Sequence, residues 1–110
     1  MQTAAAQGPL TEPPGAAALR LNHDLFVAEC NGMLVDLTAR EFDLLKVLTK
    51  ESHRVVSREE LHSRVWSSGD AGLRVVDTYV SRVRGKLKAA GHPGIAVLRK
   101  RGYRLLGMAA

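Results

Sequence analysis

Between Leu73 and about Ala89 the apolar residues recur with a helical period. At about 100° per residue, Leu73, Val76, Val80, Val83 and Leu87 share one sector, which predicts a helix with a stripe turned toward a core. Two earlier helix starts are written in nearly the same way. At the first, Thr38 and Glu41 have the spacing of a capping box, with Leu37 and Phe42 placed as a hydrophobic staple, and the helix should run to about Lys50. At the second, Ser57 and Glu60 form the box and Val56 and Leu61 the staple, in a short helix that stops near Trp66. Upstream, the β-prone stretches Leu19-Arg20-Leu21, Leu25-Phe26-Val27 and Met33-Leu34-Val35, with Asn31-Gly32 as a hairpin turn, predict a small antiparallel sheet. Downstream of Gly91-His92-Pro93-Gly94, the residues from Ile95 to Leu106 read as a β-hairpin whose tip carries Arg99, Lys100 and Arg101. Helices and small antiparallel sheets in this order predict an α+β domain over residues 19–107.

Residues 1–18 carry Glu12 as their only charge and are rich in Ala, Pro and Gly, a composition expected of a flexible linker or tail. With 110 residues in all, one domain with one core is expected. No apolar run approaches the roughly 18 residues of a membrane span, and the first residues lack the basic and apolar regions of a signal peptide, so a cytoplasmic location is expected. Cys30 is the only cysteine and is read as a packing residue. Neither a metal nor another cofactor is expected. His23, His53, His62 and His92 are scattered over different elements, and there is no phosphate loop, HExxH, CxxC or nucleophile motif, so an enzyme is not expected.

Charge changes the picture. Before Leu73 seven cationic residues face ten acidic ones, a balance of −3; from Leu73 onward nine face Asp77 alone, a balance of +8. A cationic segment of this kind suits a polyanion, since each phosphate it neutralises releases condensed counterions. Flanking the apolar stripe of the third helix are Arg74, Val75, Thr78, Tyr79, Arg82, Gly85 and Lys86, a nearly acid-free face that suits the major groove of DNA. Arg82 is placed to read a base edge. Arg74, Tyr79 and Lys86, toward the margins, are placed for phosphates. Arg84 projects sideways, either to a phosphate or into a salt bridge with a neighbour such as Asp77. The basic hairpin tip can reach phosphates or a narrow minor groove. The rival reading is a module whose basic face meets an acidic protein partner. RNA is disfavoured, because the five aromatic residues form no stacking platform.

Four segments carry a resemblance: LTAREFDLL from Leu37, RVVSREELHSRVW from Arg54, RVVDTYVSRVRGKL from Arg74 and RGYRL from Arg101. In order and spacing they resemble the C-terminal effector domain of OmpR/PhoB-type response regulators of two-component systems, over roughly Leu34 to Leu105. The resemblance implies a winged helix-turn-helix: an N-terminal antiparallel sheet, three helices and a C-terminal wing, with the third helix in the major groove and the wing in the minor groove. By position it implies that Arg82 reads bases, that Val75 and Thr78 make apolar base contacts, and that Arg74, Tyr79, Ser81 and Arg84 contact the backbone. Arg99 matches the wing arginine, and Trp66 a tryptophan whose indole can donate to phosphate or simply pack beneath the following loop. That loop, Ser67, Ser68, Gly69, Asp70, Ala71 and Gly72, matches a segment that in this family can touch RNA polymerase. Two copies head to tail on direct repeats are also implied. Val97 stands where a hydroxyl residue is usual and Lys100 where glycine is usual at the wing turn, and the N-terminal sheet segment looks shorter than the family's. No segment resembles a receiver domain.

Overall fold

A computed structural model describes residues 19–66 and 72–107; the expected linker 1–18 and loop residues 67–71 lie outside the described residues. The elements are β1 (Leu19–Asn22), β2 (Val27–Cys30), β3 (Met33–Asp36), α1 (Ala39–Lys50), α2 (Arg58–Val65), α3 (Arg74–Ala89), β4 (Ile95–Leu98) and β5 (Gly102–Leu105).

Strands β1, β2 and β3 form an antiparallel meander in which Cys30 faces both Leu19 and Met33. Asn31 and Gly32 make the two-residue turn between β2 and β3, both at positive φ (53° and 83°), the twist that such a hairpin favours. The expected strand at Leu25-Phe26-Val27 is displaced. Asn22 Oδ1 accepts from the backbone N–H groups of Asp24 (3.0 Å) and Leu25 (3.1 Å), and Phe26 takes a φ of 55°. This Asx turn places Leu25 and Phe26 in the connection, so β2 starts at Val27. Phe26 instead meets the ring of Phe42 edge-on at 5.5 Å.

The capping box of α1 is complete: Thr38 Oγ1 accepts from Glu41 N–H at 3.2 Å, and Glu41 Oε1 accepts from Thr38 N–H at 2.9 Å. At α2 only half of the expected box forms. Ser57 Oγ accepts from Glu60 N–H at 3.0 Å, while the Glu60 carboxylate is taken by Arg54 (3.0 and 2.6 Å) and Arg64 (3.1 Å). Two guanidinium groups are stronger partners for a carboxylate than one backbone N–H. The third helix begins at Arg74, with Leu73 preceding it as an uncapped residue.

Helix α1 lies at the centre, against α2, α3 and β5. Phe42, Leu44, Leu45 and Leu48 from α1, Val56 and Leu61 around the start of α2, the stripe Val76, Val80, Val83 and Leu87 of α3, and Ile95 and Leu105 of the C-terminal hairpin make one buried core. Each such side chain contributes on the order of 1.5–3 kcal/mol through burial.

The hairpin is tied to the body through Val56, which exchanges both backbone hydrogen bonds with Tyr103 (2.8 and 2.9 Å). Gly102 makes this approach possible. It sits at φ 141°, and a Cβ there would fall 2.0 Å from the Val56 carbonyl oxygen. Leu98 pairs with Gly102 across the hairpin, and Arg101 N–H donates to Leu98 carbonyl oxygen at 2.9 Å to close its turn. The architecture is the expected α+β winged helix, with three helices, a three-stranded N-terminal sheet and a two-stranded wing among the described residues.

Candidate nucleic-acid interface

The apolar stripe of α3 fixes which residues the helix can present outward. With Val76, Val80, Val83 and Leu87 buried, Arg74, Thr78, Ser81, Arg82 and Arg84 are exposed, Val75 and Tyr79 are half-buried and packed against the core, and Lys86 is half-buried. Beyond the helix, Arg99, Lys100 and Arg101 are exposed at the wing tip. Val97, on β4 behind the tip, is 53% exposed.

The charge partition of the sequence has a structural counterpart. Within the N-terminal part Arg54 and Arg64 bridge Glu51 and Glu60, and Arg58 reaches Asp77 on α3. Hydrogen bonds from Arg54 above all hold the Glu60 carboxyl down at about 2. No acidic side chain among the described residues pairs with Arg74, Arg82, Arg84, Lys88, Arg99, Lys100 or Arg101. Most cations of α3 and the wing are therefore without an acidic partner among the described residues.

Asp77 is the one acid of this part of the chain, and its half-exposed side chain is engaged in a clasp. It accepts from Arg58 Nε (3.1 Å) and Nη2 (2.9 Å) and from the Tyr103 hydroxyl, which joins α2, α3 and β5. Burial, reinforced by this carboxylate, pushes the Tyr103 hydroxyl up to about 12, so it remains a proton donor throughout the neutral range. An Arg84–Asp77 bridge is therefore not formed. Arg84 instead lies with Lys88 along Gly94, at the root of the wing. Their i, i+4 spacing sets the two cations side by side on the helix surface, as the sequence led one to expect.

Lys86, expected at a phosphate, has partners within the fold. Its Nζ donates to Glu41 Oε1 at 2.7 Å and to the Asp36 carbonyl oxygen at 2.9 Å, so its charge is engaged inside the fold. Burial opposes ionisation of Glu41, but Lys86 and the Thr38 N–H outweigh it and hold the carboxyl below its usual range. The sequence placed Lys86 at the margin of the basic face. It gave no sign that the carboxylate of a capping box 45 residues away would receive it.

Trp66 is 7% exposed and packs at the end of α2. Its ring meets that of Tyr79 edge-on (5.2 Å, 72°), stacks on His62 (6.1 Å, 20°), and lies under the Arg40 guanidinium (5.7 Å). Arg40 also donates to the Val65 carbonyl oxygen at 2.6 Å. The Arg82 guanidinium lies over the Tyr79 ring at 5.1 Å. Thr78 Oγ1 turns back to the Arg74 carbonyl oxygen at 3.4 Å, which leaves its methyl group as the outward apolar part. At the wing turn Lys100 takes the left-handed conformation (φ 64°), so the turn persists although a side chain replaces the favoured glycine. Of the expected polymerase-contact loop, only Gly72, which is exposed, falls within the described residues.

Among the described residues no group of three or more His, Cys, Asp or Glu could hold a metal ion, and no helix is long and apolar enough to cross a membrane.

Comparison with known proteins places this geometry in a family. The family described as "Transcriptional regulatory protein, C terminal" matches residues 32–105. The sensory transduction protein RegX3 of Mycobacterium tuberculosis is 35% identical over 92 residues, covering 81% of this chain and 40% of that protein. Protein RcaC of Microchaete diplosiphon is 41% identical over 90 residues, covering 79% of this chain and 14% of that protein. The chain thus spans less than half the length of these curated relatives. Among solved structures, the DNA-binding domain of the response regulator AdeR, in complex with an intercistronic region, superposes with a TM-score of 0.71 at 30% identity, covering 79% of this chain and 92% of that one. The shared fold and the continuous match over helices and wing lead to one conclusion: this chain belongs to the family of C-terminal domains of transcriptional regulatory proteins.

Proposed function

We propose that this chain binds double-stranded DNA sequence-specifically, as the output module of a bacterial transcriptional regulator, with α3 in the major groove and the wing in the minor groove. The observation that carries the reading is a set of exposed cations with no acidic partner among the described residues: Arg74, Arg82 and Arg84 on α3, and Arg99, Lys100 and Arg101 at the wing tip. Family membership and the likeness to the AdeR DNA-binding domain, solved in complex with an intercistronic region, support it.

Within this reading Arg82 reads a base edge and Thr78 offers its methyl group to a neighbouring base, with the outer surface of Val75 beside it. Arg99 enters the minor groove. Arg74, Ser81, Arg84, Lys100 and Arg101 contact phosphates, joined by Lys88, and the Trp66 indole donates to one more. Family likeness extends the proposal to two copies head to tail on direct repeats, to RNA polymerase as a partner of the Ser67–Gly72 loop, and to action in the cytoplasm.

Arg82→Ala should cost roughly 1–3 kcal/mol on the preferred site and relax specificity at one base pair. Arg74→Ala should weaken all sequences about equally and reduce the salt slope by about 0.9. Binding titrations of both variants on preferred and random duplexes check this; equal losses on every DNA for both would contradict the assignment of roles.

A further inference from the structure

Tyr79 stands at a phosphate-contact position by sequence, yet the fold uses its ring. The guanidinium of Arg82, one helical turn later, lies 5.1 Å from the Tyr79 ring centroid. That ring is itself held edge-on against Trp66, which is buried, stacked on His62 and covered by Arg40. Arg40 in turn donates to the backbone at the end of α2. The Tyr79 hydroxyl has no hydrogen-bond partner among the described residues.

An arginine projecting alone from a helix samples many rotamers and must be ordered when it meets a base. A cation over an aromatic face is restrained along the ring normal, and a ring packed on a buried indole cannot turn away. From this geometry we infer that Tyr79 is a positioning residue for Arg82: the ladder Arg40–Trp66–Tyr79–Arg82 refers the base-reading guanidinium to the hydrophobic core. This role rests on the DNA-binding reading above. It separates Tyr79 from the phosphate contacts and makes α2, through Trp66, part of the specificity apparatus.

Tyr79→Phe keeps the ring and removes the hydroxyl; Tyr79→Leu keeps apolar volume and removes the ring. Binding to a duplex selected by the wild type and to a random duplex pool would be compared for both, for Arg82→Ala and for Tyr79→Leu combined with Arg82→Ala. Tyr79→Phe should retain the wild-type preference. Tyr79→Leu should reduce that preference about tenfold while leaving pool affinity unchanged, and should add nothing to Arg82→Ala. In the free protein, the δ-proton resonances of Arg82 should show an aromatic ring-current shift that persists in Tyr79→Phe and vanishes in Tyr79→Leu. Thermal unfolding identifies a variant that fails to fold, and in that event Tyr79→Phe and the resonances of the wild type still decide the matter.

Equal weakening by Tyr79→Phe on selected and random DNA would make the hydroxyl a phosphate ligand and overturn the proposal. Loss of preference in Tyr79→Leu that adds fully to that of Arg82→Ala would also overturn it. A wild type that selects no duplex, with the ring-current shift intact, would overturn the DNA reading and this role together. A wild type that does select one, with a preference indifferent to Tyr79→Leu, would overturn only the role of Tyr79.

Discussion

At the scale of single residues, Lys100 shows opposing demands on one position. Its φ of 64° is a conformation that costs an L-residue about 1–2 kcal/mol and glycine nothing. Its ammonium stands between Arg99 and Arg101 at the exposed wing tip. Lys100→Gly relieves the strain but gives the unfolded chain more freedom, worth roughly 0.5–1 kcal/mol, so a net gain between about 0 and 1.5 kcal/mol is expected. DNA affinity should fall on all sequences, with the salt slope smaller by about 0.9. Chemical denaturation and salt-dependent titration measure the two effects separately; a variant that loses stability and keeps its salt slope would contradict both. The presence of a cation at this turn was legible in the sequence. That the turn would survive it was not, because the outcome depends on the Leu98–Arg101 bond and the docked Gly102 that close the hairpin around it.

At the scale of elements, α3 is held at three separated points along its length. Asp77 ties its first turns to Arg58 and Tyr103, Tyr79 packs on Trp66, and Lys86 ties its last turns to Glu41 and the Asp36 carbonyl oxygen. A recognition helix fixed in this way carries its exposed arginines as a rigid set. Lys86→Met should therefore act on stability and leave DNA electrostatics nearly untouched. Leaving Glu41 buried without its cation should cost about 2 kcal/mol, less than the ~3–5 kcal/mol of a fully buried pair because Lys86 is 39% exposed. The salt slope should stay at the wild-type value. A slope reduced by about 0.9 with unchanged stability would return Lys86 to the phosphate contacts.

The three helices, the N-caps of the first two and the stripe of α3 could be read from periodicity and capping chemistry, since these signals lie within a few residues of each other. The clasps could not. Arg58 with Asp77 and Lys86 with Glu41 join residues 19 and 45 positions apart, and only the packed arrangement of helices decides which acid meets which cation. The displaced start of β2 has a local cause: the side chain of Asn22 competes with strand propensity at Leu25 and Phe26.

At the scale of the whole molecule, acid and base are sorted into a framework and a surface. The acids at Glu41, Glu51, Glu60 and Asp77 engage Lys86, Arg54, Arg64 and Arg58, while the other cations of α3 and those of the wing tip are exposed without an acidic partner among the described residues. The C-terminal hairpin is joined to this framework next to a buried imidazole. His92 is 3% exposed, its Nδ1 accepts from Gly94 N–H at 2.8 Å, and its Nε2 has no partner among the described residues. Burial lowers its pKa below the ordinary 6.5, so the unfolded chain binds the proton more readily than the folded one. Stability from this group is complete above about pH 6.5 and declines as pH falls from there toward the folded-state value, by at most about 1.4 kcal/mol per pH unit. His92→Asn keeps an acceptor for Gly94 N–H and cannot titrate. Denaturation curves between pH 7 and 5 should show that decline in the wild type and a weaker one in the variant; identical slopes would remove His92 as the cause.

The central claim is that an outward, unpaired set of cations reads a sequence rather than merely attracting a polyanion. The measurement that tests it most directly is fluorescence anisotropy of the chain with a random duplex pool and with a duplex selected from that pool, each at two salt concentrations. The account predicts steep salt dependence for both and a selected duplex bound at least about a thousandfold more tightly than the pool. Salt-sensitive binding with no duplex preferred over the pool would contradict it, and would make the basic face a surface for an acidic protein partner instead.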